Sequence, residues 1–249
     1  TPDLMDTANL TTTDTTLTAK NTLATKELTI TKTIDASLPD AYKSEEFAFA
    51  VAKDGDSTPV SLVKKNDDNS VESISEIKLG NGGRITLILP IGKYTVSEEL
   101  TNAQEDVWQE EQLSKKVTLT SDQSVEFINT VQTGTITVEK VWLDKEGTEH
   151  GNVTVSVTGA NGYSKTETFG TEKTFAVPTK TATGAAAQYK VEETAVAVGY
   201  ATYYKVGNGA ASRTAPTDVN PGQTVTIYNV KTGSVTVEKK WDNISAEKR

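Results

Sequence analysis

Most of this chain alternates between apolar and polar residues with a period of two, in short stretches separated by Gly, Pro, Asn and Asp. The stretch ELTITKTI, for example, places Leu28, Ile30 and Ile34 on one face. A period of two is the periodicity of a β-strand, because successive side chains point to opposite faces. The 249 residues include 41 threonines, a β-branched residue that suits strands better than helices. The sequence therefore predicts an all-β protein.

The strand pattern also predicts how the chain is divided into domains. The stretch TGTITVEKVWLD, which begins at 133, is nearly repeated as TGSVTVEKKWDN from 232. Strands at this spacing predict two immunoglobulin-like β-sandwiches in tandem. Helical signals are weak, and 101–113 is expected to hold a turn or two. We expect a Thr-rich leader or linker, two complete domains and the first strand of an incomplete third repeat, over 1–26, 27–131, 132–231 and 232–249.

Composition excludes several classes of function. The chain has no cysteine, which rules out disulfides, thiol catalysis and thiolate metal sites. Its net charge of −9 argues against a nucleic-acid partner, and no apolar run is long enough to predict membrane insertion. The only histidine, His150, lies in a polar turn that we expect to be a solvated loop. No metal site, cofactor site or enzyme active site is therefore predicted.

Three lysines lie on the apolar face of a predicted strand. Alternation places Lys32 on the same face as Leu28 and Ile30. The same alternation places two further lysines among the apolar residues of their strands, and these are Lys140 and Lys239. Lysine is almost never fully buried without a partner, so each of these strands requires a polar partner in the core.

Each predicted domain also carries an inward-facing glutamate and an inward-facing asparagine. In YTVSEE the alternation points Glu98 inward and Glu99 outward, and in YKVEET it points Glu193 inward and Glu192 outward. The last strands, SVEFINT and TVTIYNV, each carry one inward asparagine. The two domains thus share one order of core-facing polar residues: Lys32, Glu98, Asn129, then Lys140, Glu193, Asn229.

These three residue types can carry out one reaction if they meet in the core. Burial lowers the pKa of a lysine and raises that of a glutamate, and a neutral lysine amine is a nucleophile. A protonated glutamate can hydrogen-bond the carboxamide oxygen and pass a proton to the departing ammonia. The products would be two self-formed isopeptide bonds, Lys32–Asn129 and Lys140–Asn229, promoted by Glu98 and Glu193. The alternative is a buried salt bridge with a hydrogen-bonded asparagine, and the repetition of the order favours the cross-link.

The last segment aligns with the first strand of the second domain, so that Lys239 corresponds to Lys140. Only eight residues follow Trp241, too few for a glutamate strand and a terminal asparagine. We therefore expect Lys239 to form no cross-link within this chain. The segment is interpreted either as the start of a further repeat in a longer array, which we favour, or as a strand that pairs with the sheet edge of a neighbouring molecule.

The motifs resemble those of a known family. Residues 134–230 resemble a collagen-adhesin B-type (CnaB) domain of Gram-positive surface proteins, through TVEKVW with Lys140, YKVEE with Glu193 and IYNV with Asn229. Residues 27–131 resemble the related isopeptide domains of Gram-positive pilins, through LTITKT, YTVSEE and FINT. This first domain departs from the pattern because no Trp stands two residues after its lysine.

The resemblance implies a structural role at the cell surface. Domains of that family are stalk or shaft modules of adhesins and pili, exported and attached to the cell wall by sortase. Neither an LPxTG-like sorting motif nor a YPKN-type pilin motif is present, so the anchor is expected outside this chain. The expected partners are neighbouring domains of a longer surface protein or pilus. The alternative function is that of an adhesin module that binds a host matrix protein or glycan, and an enzyme is the third and least supported possibility.

Overall fold

A computed structural model describes residues 23–55, 60–109, 113–233 and 236–240. Strands dominate these residues, and the prediction of an all-β fold is confirmed. The strands are β1 Thr25–Ile34, β2 Glu46–Lys53, β3 Leu62–Lys65, β4 Val71–Ile74, β5 Ile77–Gly80, β6 Arg84–Pro90, β7 Gly92–Glu99, β8 Ser114–Leu119, β9 Gln123–Asn129, β10 Thr133–Leu143, β11 Val153–Gly159, β12 Ser164–Phe169, β13 Glu172–Pro178, β14 Tyr189–Glu193, β15 Tyr200–Val206 and β16 Thr224–Lys231.

Two sheets form the first sandwich. One has five strands in the order β4-β3-β6-β1-β9, and the other has four in the order β5-β2-β7-β8. The inward residues of both sheets form a single apolar cluster, which includes Leu28, Phe47 and Phe127. Strand β1 begins at Thr25, two residues before the predicted domain boundary at 27. Most of the predicted leader, residues 1–22, lies outside the described residues.

The second sandwich repeats this arrangement with fewer strands. One sheet has the order β13-β10-β16-β15 and the other the order β12-β11-β14. Its separate apolar cluster includes Ile136, Phe175 and Ile227. The alternation predicts seven strands in this part of the chain, and all seven are present: TITVEKVW, NVTVSVT, YSKTETF, EKTFAV, YKVEET, YATYYKV and QTVTIYNV.

The first and last strands of each sandwich are adjacent and parallel. Strand β1 pairs with β9 and β10 pairs with β16, whereas the other strand pairings among the described residues are antiparallel. Parallel neighbours enter a sheet at the same end, so the chain enters each sandwich at one end and leaves it at the other.

The first domain differs from the sequence prediction at two places. A single strand is expected near 73–79, but the chain forms β4 in one sheet and β5 in the other. Ile74 and Ile77 are three residues apart, so one continuous strand cannot point both inward. A break at Ser75 and Glu76 solves this conflict, and Ile77 is buried while Ile74 packs against the same core. Strand β3 was not predicted, because LVKK has no alternation and all four residues are half-buried.

A short helix and an inter-domain hydrogen bond lie near the junction of the domains. Helix α1, Asn102–Glu105, is a single turn in the predicted region, and Trp108 after it is buried. The Tyr42 hydroxyl donates to the Lys180 carbonyl oxygen at 2.6 Å, which links the first sandwich to the second. No helix in the described part of the chain has the length and apolar character needed to span a membrane.

Candidate functional site

Two adjacent strands of one sheet and one strand of the facing sheet bring the first Lys/Glu/Asn set together. Lys32 on β1 is fully buried, and Glu98 on β7 and Asn129 on β9 are each only 4% exposed. In the parallel pairing of β1 with β9, Asn129 lies opposite Ile34, two residues beyond Lys32. Residues two apart on a strand share a face, so the lysine and the asparagine point into the core side by side. Glu98 reaches them from the facing sheet.

The side chains of this first triad are in direct contact. Lys32 Nζ lies 3.5 Å from Glu98 Oε1, and Asn129 Nδ2 donates to the same oxygen at 2.5 Å. The ammonium group also lies 4.4 Å from the centre of the Phe47 ring. Glu98 Oε2 is buried and has no hydrogen-bond partner among the described residues. A buried carboxylate oxygen without a donor is costly, which favours a protonated carboxyl.

Burial changes the protonation of both charged members of this triad. Desolvation lowers the pKa of Lys32 to about 8, although the nearby Glu98 carboxylate opposes the change. Desolvation also raises the pKa of Glu98, opposed by Lys32 and by the hydrogen bond from Asn129. The two pKa shifts have opposite signs, but each favours the neutral form of its group. Near neutral pH the pair can therefore reach the state with a neutral amine and a protonated acid.

The second domain holds the same triad in the same register. Lys140 on β10, Glu193 on β14 and Asn229 on β16 are all buried. Asn229 lies opposite Trp142 in the parallel pairing, again two residues beyond the lysine. Asn229 Nδ2 donates to Glu193 Oε1 at 3.0 Å, and Lys140 Nζ lies 3.9 Å from Glu193 Oε2. Burial lowers the pKa of Lys140 to about 8, opposed by Glu193.

One detail differs from the expected geometry. From the sequence, we expect a protonated glutamic acid to donate a hydrogen bond to the carboxamide oxygen of the asparagine. In both triads the structure instead turns the carboxamide nitrogen, Nδ2, towards the glutamate. This nitrogen is the one that would leave as ammonia, so each carboxyl group stands beside the leaving group that it would have to protonate.

Polar residues that the sequence analysis missed surround the second triad. Thr202 Oγ1 donates to Asn229 Oδ1 at 3.0 Å and lies 3.3 Å from Glu193 Oε2. The Tyr204 hydroxyl accepts a hydrogen bond from the Glu193 backbone N–H at 3.2 Å. Both residues lie on β15, Tyr200–Val206, and Thr202 has the same parity as Tyr204, the one buried residue of this strand. The sequence YATYYKV does not alternate between apolar and polar residues, so it gives no signal for Thr202.

The prediction that His150 lies in a solvated loop is wrong. Its ring stacks on Trp142 with the ring centres 4.0 Å apart, and its side chain is 15% exposed. His150 Nε2 lies 3.2 Å from Asp144 Oδ2, and the Tyr200 hydroxyl donates to the same oxygen at 2.5 Å. Trp142 in turn lies over Lys140, whose Nζ is 4.5 Å from the ring centre. The polar turn that holds His150 folds back onto the exit of β10, which a local pattern cannot show.

The expected third repeat is described only in part. Lys239 lies in the stretch 236–240, which has no strand assignment and is exposed. The flanking residues of the predicted strand, including Val235 and Trp241, lie outside the described residues. The prediction that Lys239 is the cross-link lysine of a further repeat therefore stays a prediction. In the described residues no group of three or more His, Asp or Glu side chains could hold a metal ion.

Comparisons with known proteins give matches among solved structures. No protein-family profile and no curated protein sequence matches the chain. The major pilin of Streptococcus pyogenes matches with 15% identity and a TM-score of 0.35, over 86% of this chain and 100% of that one. Two B repeat units of the collagen binding protein Cna of Staphylococcus aureus match with 16% identity and a TM-score of 0.32, over 85% and 50%.

A streptococcal ancillary pilin matches with 15% identity and a TM-score of 0.30, over 84% of this chain and 63% of that one. Pilins and Cna B repeats are the same kinds of protein that the sequence motifs resemble.

Proposed function

We propose that this chain is a structural stalk or shaft segment of a Gram-positive cell-surface adhesin or pilus, in which each domain is locked by one self-formed Lys–Asn isopeptide bond. The observation that carries the proposal is the occurrence of two buried Lys/Glu/Asn triads in the same register on two separate sandwiches. One buried ion pair has many explanations, whereas two with the same third member and the same strand offset point to one chemistry.

The geometry supports a balanced reaction in each domain. The neutral Nζ of the lysine attacks Cγ of the asparagine, and a new C–N bond forms. The proton lost by the amine passes to Nδ2 by way of the glutamate carboxyl, which contacts both nitrogens in the first triad through the single oxygen Glu98 Oε1. The Cγ–Nδ2 bond then breaks and ammonia leaves. The close contact of the reactants supplies an effective molarity of order 10⁵ M or more, which makes this slow amide exchange feasible.

The fold explains what the bonds would do. Each link would join the first strand of a sandwich to its last strand, and these strands lie side by side and run parallel. Tension applied to the ends of the chain would then pass from one strand to the other through a covalent bond, and the rest of the sandwich would bear none of it. This role requires no turnover, so we propose a structural protein and not an enzyme, exported to the cell surface.

The mass of the purified protein tests the proposal. We expect the intact chain to be lighter than its sequence mass by two ammonia molecules, because each triad loses one. Peptide mapping should find Lys32 joined to Asn129 and Lys140 joined to Asn229. An unshifted mass would show that the triads are buried ion pairs, and a loss of one ammonia would leave one domain unlinked.

Neighbouring glutamates provide a matched control for this reaction. We expect Glu98→Gln and Glu193→Gln each to restore one ammonia of mass, because each removes the carboxyl that contacts its asparagine. Glu99→Gln and Glu192→Gln should leave both losses in place. Glu99 is exposed and Glu192 pairs with Lys190 outside the core. If the outward residues proved necessary, the proposed role of the buried carboxyls would be wrong.

A further inference from the structure

A threonine hydroxyl distinguishes the second triad from the first. Thr202 Oγ1 contacts the carboxamide oxygen of Asn229 at 3.0 Å and lies 3.3 Å from Glu193 Oε2. A hydroxyl has one proton to donate and two lone pairs that accept. Thr202 can therefore donate to Asn229 Oδ1 while it accepts from Glu193 when that carboxyl is protonated. It would then bridge the proton carrier and the carbonyl group that is attacked.

The sheet topology explains why only the second domain has this contact. Strand β15 pairs with β16, and Thr202 lies directly opposite Asn229. In the first domain, the strand that corresponds to β16 is β9. It lies at the edge of its sheet and pairs only with β1 among the described strands. In the first triad the corresponding carboxyl oxygen, Glu98 Oε2, has no hydrogen-bond partner among the described residues.

We propose that Thr202 is a catalytic residue of the second domain's cross-linking reaction, an inference that rests on the function proposed above. Its hydrogen bond holds the carboxamide with Nδ2 towards Glu193 and Oδ1 towards the hydroxyl. When Lys140 Nζ adds to Cγ, negative charge develops on Oδ1, and a fixed donor at this oxygen stabilises that charge. The amine proton still passes through Glu193 to the departing ammonia, so Thr202 neither loses nor gains an atom.

The test measures the rate of linkage in each domain separately. The chain is made by cell-free translation, and samples taken over time are digested and assayed for the two linked peptides. Thr202→Val removes the hydroxyl and keeps the shape, whereas Thr202→Ser keeps the hydroxyl. Thr226→Val is the matched control, because Thr226 is equally half-buried on the neighbouring strand but donates to Glu139 Oε2, at 3.2 Å, on the outer face.

We expect Thr202→Val to slow formation of the Lys140–Asn229 link by about 10²-fold, the effect of removing one donor to a developing oxyanion. The slow reaction should still reach completion, which shows that the variant domain folds. Thr202→Ser should react within a few-fold of the natural protein. The Lys32–Asn129 link in the same molecules and the Thr226→Val variant should be unaffected.

Two results would overturn the inference and leave the proposed function intact. One is linkage of Thr202→Val at the natural rate, and the other is a Thr202→Ser variant as slow as Thr202→Val, which would assign the effect to packing of the side chain. A natural protein that forms neither linked peptide would overturn the proposed function, and this inference with it.

Discussion

When the natural protein is pulled by its two ends, neither sandwich should extend. The double variant Glu98→Gln, Glu193→Gln should instead unfold in two long steps. In the natural chain the proposed links would remove 97 residues (129 − 32) and 89 residues (229 − 140) from the path that carries the force. An extended chain spans at most about 3.3–3.6 Å per residue, so each released step should be roughly 300 Å. Single-molecule force spectroscopy measures these steps directly.

The parallel pairing of the first and last strands determines how force acts on a domain without a link. Because β1 and β9 enter the sheet at the same end, the two chain ends pull the pair in opposite directions along their length. Without a covalent bond, only hydrogen bonds and packing resist this shear. The single variants provide the control, since Glu98→Gln should release one step and Glu193→Gln the other. Two long steps in the natural protein would contradict the proposal.

Loss of a link should also lower equilibrium stability by a large amount. By analogy with disulfides, closing a loop of 97 residues stabilises a domain by about 4–5 kcal/mol on the entropic model. A domain of this size should then melt roughly 20–35 °C lower when its link is blocked. Calorimetry or denaturant unfolding, with the intact mass measured on the same samples, tests this expectation.

Three variants of the first domain separate the link from the loss of a side chain. Lys32→Met, Glu98→Gln and Asn129→Ala each block the reaction by changing a different atom, and each perturbs the buried site differently. The smallest of the three decreases in the free energy of unfolding is an upper limit on the contribution of the link to stability. If the free energy of unfolding of any of these variants falls by less than about 1 kcal/mol, the link contributes little to stability. Its role would then be mechanical or protective only.

Strand alternation was enough to identify the buried residues of both triads. The period of two is a local property, so it separates Glu98 from Glu99 and Glu193 from Glu192 without knowledge of the fold. The burial of Lys32 could be predicted for the same reason, because a lysine with the same parity as Leu28 and Ile30 lies on the same, core-facing side of the strand. The order of the residues in the two domains could then be compared directly, and the shared chemistry was inferred from that order.

Tertiary structure decided how these residues meet, because strand pairing joins parts of the chain that are far apart. The alternation does not show that β1 and β9 are parallel, that the carboxamide nitrogens face the glutamates, or that Thr202 lies opposite Asn229 across β15 and β16. The polar turn around His150 led us to expect a solvated loop, because a local pattern does not reveal that the turn folds back onto Trp142. A side chain's direction depends on its nearest neighbours in sequence, whereas its partner depends on which distant strand lies beside it.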